Sequence, residues 1–276
     1  MADSTCAVVP AMVETVAEFG KGRCNSGGGN IRAMVKVNEY LNVPDGLEKS
    51  YRGLLNELCQ EANDLQRWQP DEFNQHSAAI HEASHCVVVA REGYAPKDAR
   101  VFQSDGNWLG DFHIDWPEAT MRHDVGSPEF LAHLRIILAG RRGELLFLGD
   151  KFCLRAGLDE LTYALLMIMP AIMAQTGGDR EACDELYGPT WETLLAEIDE
   201  TLFAHRQTVM AIAKKLTLKG SLRSRKLSQL VATVPPRSAQ PPLRMQHELH
   251  VAYDPLAYPA SDSRRAEFIQ RKQLGK

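Results

Sequence analysis

From residue 71 onward, apolar positions recur at helical spacing in long blocks separated by short polar or glycine-bearing breaks. The stretch "AAIHEASHCVVVA" at 78–90 holds no Pro or Gly, and Gly93 and Pro96 stop the run that contains it. The pattern predicts a helix over 76–92 with Ser77 as its N-cap and Glu82 near its first turn. Two alternating runs, 99–103 and 108–114, flank Asp105-Gly106 and predict a β-hairpin. Ser127-Pro128-Glu129 opens an apolar helix, "EFLAHLRIILAGRRGELLFLG", which Gly149 closes. A further helix begins near Leu158 and ends at Gly177-Gly178, 190–216 reads as one long helix, and a short helix at 223–233 follows. The expected fold is mainly α with a small β-hairpin or sheet.

The flanks read differently. Residues 1–70 predict a helical N-terminal extension: Val9 to Phe19 and Ile31 to Leu41 form two helices around a glycine-rich loop, and Leu47 to Trp68 a third, amphipathic one. The loop, "GKGRCNSGGGN", lacks the GxxxxGK[ST] spacing of a phosphate cradle. At the other end, "PPRSAQPP" at 235–242 starts a Pro-rich linker and basic tail, 235–276, with Arg264, Arg265, Arg271, Lys272 and Lys276. The main domain is therefore placed at 71–234.

Composition narrows the partners. The formal net charge is −5 and the pI about 6.0, which gives no electrostatic case for nucleic acid or an anionic membrane. No segment reaches the length of apolar chain that a membrane span needs, and Leu161 to Ala174 is broken by Pro170. The first residues lack the basic start and apolar core of a signal peptide. The six Cys form no CxxC, and their spacing suggests no disulfide framework, so free thiols in a reducing cytoplasm are expected.

The chemistry lies in His81-Glu82-Ala83-Ser84-His85. On a helix, residues four apart share a face, so both imidazoles can reach one ion. Glu82 lies beside them as a general base. The alternative is a buried helix with two hydrogen-bonded histidines, or a strand at Cys86 to Val89. A catalytic zinc usually takes three protein ligands and leaves a position for water. Val88 and Arg91 stand where a metzincin would need Gly and His. Spacing alone leaves Asp105, His113, Asp115, His123, Asp124, His133, Glu144, Asp159 and Glu160 open as the third ligand. Among these, His113 and His133 read more readily as structural histidines.

The order HEASH, a hairpin with "NWLGDF", "ILAGRRGELLFLG" and "AGLDELTYAL" resembles the peptidase domain of FtsH-type zinc proteases. The resemblance covers about 74–234. It implies a zincin-like fold of the FtsH peptidase type, Zn2+ as cofactor, and Asp159 as the third ligand beside His81 and His85. Leu109-Gly110 matches the family's substrate-side edge strand, which suggests that an extended peptide adds there as a further strand. Gly140, Arg141 and Glu144 match its Gly-Arg helix, with Glu144 and Arg141 supporting the ligands from behind. Three departures stand out. Ser84 replaces a usual Gly beside the metal helix, Leu145 follows Glu144 where a second acid is usual, and no ATPase module or membrane anchor is recognised. The resemblance thus implies peptidase chemistry without ATP-driven unfolding.

Two functions follow as expectations. The first is a soluble, cytoplasmic zinc metalloendopeptidase acting on loosely folded polypeptide, with Glu82 activating water. The second is a non-catalytic, zinc-stabilised binding module or a partner subunit for a separate ATPase, with self-association as a further candidate. Glu82 favours the first, since a purely structural zinc has no use for a base there.

Overall fold

The structure, a computed structural model, describes residues 71–104, 106–114, 125–152, 156–237 and 251, and leaves a few side chains within that span undescribed, Asp159 among them. The three N-terminal helices expected before residue 70 and the tail beyond 237 lie outside the described residues. The remainder is mainly helical with one small antiparallel sheet.

Helix α1, Asp71–Arg91, is the centre of the fold. From Glu82 to Arg91 every residue is buried, because α1 is packed by other elements on several sides. A helix buried all round needs apolar residues all round, which is why Cys86 to Val89 is helical despite its β-branched run. The helix already runs at Asp71, so Ser77 is not its cap and Glu82 lies mid-helix, a correction to the expected start. The sequence signal was ambiguous there because Ser is as common at an N-cap as it is tolerated inside a helix.

The hairpin forms as expected, with strands β1, Pro96–Ser104, and β2, Asn107–Ile114. Gly106 at φ 78° takes the left-handed conformation the turn requires. In the register Ala99 faces Phe112 and Val101 faces Gly110 on the inner side, while Phe102 pairs with Leu109 on the outer side. A third strand, β3, Ser221–Arg223, was not expected. It pairs with β1 through Ala99 and Leu222, giving the order β2-β1-β3 and leaving β2 at an edge. Three residues are too few to show an alternation in sequence.

Helix α2, Pro128–Leu148, begins where Ser127 accepts a hydrogen bond from the Phe130 amide at 3.2 Å, and ends at Gly149. A single 3-10 turn, Gly149–Lys151, follows. Helix α3, Leu158–Thr176, runs between two left-handed glycines, Gly157 and Gly177. The expected helix at 190–216 is instead two: α4, Arg180–Ala204, and α5, Arg206–Lys219, separated at His205. The buried positions keep helical spacing across the break, from Leu195, Ile198 and Leu202 to Val209, Ile212 and Leu216, so the apolar period runs through it. Helix α4 also starts earlier than expected and carries Pro189 in its interior. Helix α6, Ser224–Val231, ends the core. Among the described residues no helix is long and apolar enough to cross a membrane.

Candidate metal centre

Helices α1, α2 and α3 and strand β2 meet around the HExxH residues. His81 and His85 project from one face of α1, with ring centroids 4.8 Å apart. From α3, Glu160 reaches both: its Oε1 lies 3.2 Å from His81 Nε2 and 2.9 Å from His85 Nε2. His81, His85 and Glu160 form the group of His, Cys, Asp and Glu side chains, among the described residues, that could hold a metal ion.

The tautomers follow from the outer partners. His85 Nδ1 lies 2.7 Å from the Ile136 carbonyl oxygen, which can only accept, so Nδ1 carries the proton. His81 Nδ1 lies 2.8 Å from Glu144 Oε1 and donates to that carboxylate. Both neutral rings then present the Nε2 lone pair toward Glu160 Oε1. Three acceptor atoms at this spacing require a positive charge among them, either a proton or a metal ion. Donors bound about 2.0–2.1 Å from one tetrahedral zinc stand about 3.3–3.4 Å apart; Glu160 Oε1 lies 3.2 Å from His81 Nε2 and 2.9 Å from His85 Nε2, so a small outward shift of the carboxylate would admit the ion. Two imidazoles and a carboxylate are also a donor set suited to zinc. The residues present therefore fit such an ion.

Rigid walls hold the rings. The Phe112 ring from β2 stacks on His85 at 4.3 Å and 6°. Glu144 on α2 is buried and also accepts from the Ser77 hydroxyl at 2.5 Å. Arg141 donates to the Ala156 carbonyl at 2.6 Å and lies over the Phe152 ring, tying α2 to the turn before α3. Gly157 begins that helix at φ 62°, and a Cβ there would meet Arg141 Cβ at 2.9 Å and Glu160 Oε2 at 3.0 Å.

Missing side chains make the close approach of α1 and α2. A Cβ on Gly140 would fall 2.2 Å from His81 Nε2, and one on Gly143 would fall 1.9 Å from Ser84 Oγ. Gly143 thus vacates the space that Ser84 occupies, and the Ser84 hydroxyl donates to the Ile80 carbonyl at 2.8 Å. Ser84 is accommodated by a glycine on the facing helix. Each helical glycine costs about 1 kcal/mol relative to alanine, so the pair is tolerated only where the approach is needed.

Glu82 lies on the β2 side of α1, 4% exposed. A Cβ on Gly110 would fall 2.0 Å from Glu82 Oε1, so the bare backbone of β2 makes room for the carboxylate. Glu82 Oε2 is buried and has no hydrogen-bond partner among the described residues. Burial pushes the Glu82 carboxyl up to about 7, against the pull of His81 and His85. Burial also works against the charged form of Glu160, yet the two histidines outweigh it and hold that carboxyl well below the usual range. His81 is raised: burial opposes its cation, but Glu160 and Glu144 together prevail.

The structure thus brings together His81, Glu82, His85, Glu144 and Glu160, with Gly110 beside Glu82 and Arg141 behind α3. Leu109 lies on the outer face of β2, 40% exposed. The Asp159 side chain, expected as third ligand, lies outside the described residues; its neighbour Glu160, one of the open alternatives, reaches the histidines. His113 pairs with Asp98 on the outer hairpin face, and His133 is buried on α2 near Tyr163. Sequence reasoning missed Phe112 and the role of Ser77. The Gly140 and Gly143 spacing on one helix face was a readable sign of a close helix approach, whereas nothing in the sequence marked Phe112. No protein-family model matches the chain, and no curated protein matches it significantly.

Proposed function

We propose that this chain is a zinc-dependent metalloendopeptidase of the FtsH peptidase type. One observation carries the reading: a group of two imidazoles and a part-exposed carboxylate adjoins a buried carboxylate, Glu82, one of whose oxygens has no hydrogen-bond partner among the described residues. A structural site gains nothing from an unsatisfied acid, whereas a general base needs a free oxygen and a pKa near neutrality. His81, His85 and Glu160 would hold the ion. Zinc, when bound, supplies Lewis acidity that activates water and polarises the scissile carbonyl.

The chain's own residues do the rest. Glu82 Oε2 accepts a proton from the attacking water and returns it to the leaving amine. His85 is fixed by Phe112 and the Ile136 carbonyl, and His81 by Glu144, so neither ring must reorient during the reaction. Among the described residues β2 pairs only with β1, and its free edge beside Leu109 and Gly110 suits an extended peptide. Polypeptide is therefore the substrate class, and a reducing cytoplasm suits the free Cys86 and Cys183.

Metal analysis of purified protein, paired with a casein and peptide-library digest, tests the proposal. One zinc per chain and cleavage that stops on chelation and returns with zinc are expected. Cleavage indifferent to chelator, or a zinc-loaded chain that cleaves nothing, would refute it.

A further inference from the structure

We infer that Ser77 is a positioning residue for the metal centre, acting through Glu144 on the His81 ring. The inference rests on the metal-dependent reading above. Ser77 precedes His81 by four residues on α1, so the two share a face, and both meet the same carboxylate from the facing helix. The Ser77 hydroxyl donates to Glu144 Oε2 at 2.5 Å, while His81 Nδ1 donates to Glu144 Oε1 at 2.8 Å. Both Ser77 and Glu144 are buried.

The direction of the Ser77 hydroxyl is informative. A serine inside a helix commonly turns its hydroxyl to the carbonyl four residues back, as Ser84 does to Ile80 on this same helix. Ser77 instead reaches across to another helix and to an acid. A carboxylate held through one oxygen can still swing about its terminal torsion, which is broad. A second donor on the other oxygen fixes its plane, and with it the ring that it orients. A buried, charge-assisted hydrogen bond is suited to that task. The resulting chain runs from the Ser77 hydroxyl through the Glu144 carboxylate to the His81 imidazole, and leaves His81 Nε2 aimed at Glu160.

The test measures zinc affinity of the full chain by competition with a chromophoric chelator, alongside the visible spectrum of the cobalt-substituted protein. Ser77→Ala should weaken zinc binding about tenfold, the lower end for loss of an outer partner, and should perturb the cobalt bands. Ser77→Thr, which keeps the hydroxyl, should stay within about twofold of the parent. Should the alanine variant not fold, Ser77→Cys, with its weaker donor, carries the same comparison. In a Glu144→Gln background the Ser77→Ala change should cost less than about twofold, because the route to His81 is already altered. Parental affinity in Ser77→Ala, or an equal loss in both backgrounds, would overturn the inference while leaving the metallopeptidase reading intact. Absence of zinc binding by the unmodified chain would sink both. Zinc binding without cleavage would sink the peptidase reading alone, since the Ser77 comparison reads affinity.

Discussion

Two acids with buried carboxylate oxygens sit at opposite ends of one stretch of chain and are treated in opposite ways. Glu92, just beyond α1, has a side chain 3% exposed and is gripped by Arg135 at 3.0 and 2.9 Å and by Arg237 at 2.9 Å. Glu82, within α1, keeps a buried oxygen with no hydrogen-bond partner among the described residues. The same contrast runs along α2. Arg142 closes a two-point ion pair with Asp199 on α4, while at Gly140 and Gly143 the helix gives up side chains to approach His81 and Ser84 of α1. Where the fold needs only stability, buried charge is met by opposite charge in good geometry. Where a buried acid is left unmet, stability does not account for it, which supports the catalytic role proposed for Glu82.

The contrast can be broken or sharpened by substitution. The largest effect is expected at α3: Glu160→Ala should abolish zinc binding measured by equilibrium dialysis, whereas Asp159→Ala should leave it within about tenfold of the parent. The reverse order would assign the ligand to Asp159, as the family resemblance implied. At the paired end, Arg135→Ala leaves Glu92 and Glu197 with Arg237 alone and should destabilise the chelated protein by about 1–3 kcal/mol in urea denaturation, without lowering zinc affinity per folded molecule. A loss below about 1 kcal/mol would mean that the network is not what offsets the burial of Glu92.

Gly140→Ala is expected to improve helix propensity yet to reduce zinc affinity, because the added methyl enters the space of His81 Nε2; unchanged affinity would remove the packing argument. The smallest effect concerns His205, whose pKa burial and then the Arg91 guanidinium hold below 6.5. A depressed histidine contributes stability that is present above its ordinary pKa of 6.5 and lost as pH falls through its folded pKa. His205→Gln should therefore flatten the fall in stability on the acid side of about 6.5. An unchanged slope would count against it.

The elements best legible in the sequence were those with chemical punctuation. Ser127-Pro128 and Gly149 bound α2, Gly177 ends α3, and Asp105-Gly106 marks the hairpin turn. The break at His205 and the strand at Ser221 were not legible, since neither disturbs a periodic pattern long enough to count. At the site, His81, Glu82 and His85 were legible because one helix carries them at fixed spacing. Glu160 was not, because it comes from a separate helix, and spacing along the chain does not say which of several acids reaches the histidines. Phe112 was invisible for a related reason: an inward aromatic on a strand reads as core whether or not it stacks on a ligand. Ser77 was misread because its hydroxyl serves a distant helix rather than its own first turn.

The central claim is that the unpartnered carboxylate of Glu82 is the base of a peptidase. The most direct measurement is hydrolysis of a fluorogenic peptide library by Glu82→Gln and by the parent chain, each with its zinc content determined. The amide keeps the shape of the side chain but cannot take the proton. The account predicts one zinc per chain in both proteins and a rate reduced by a factor on the order of a hundred or more in the variant. A zinc-loaded Glu82→Gln protein that cleaves as fast as the parent would contradict it.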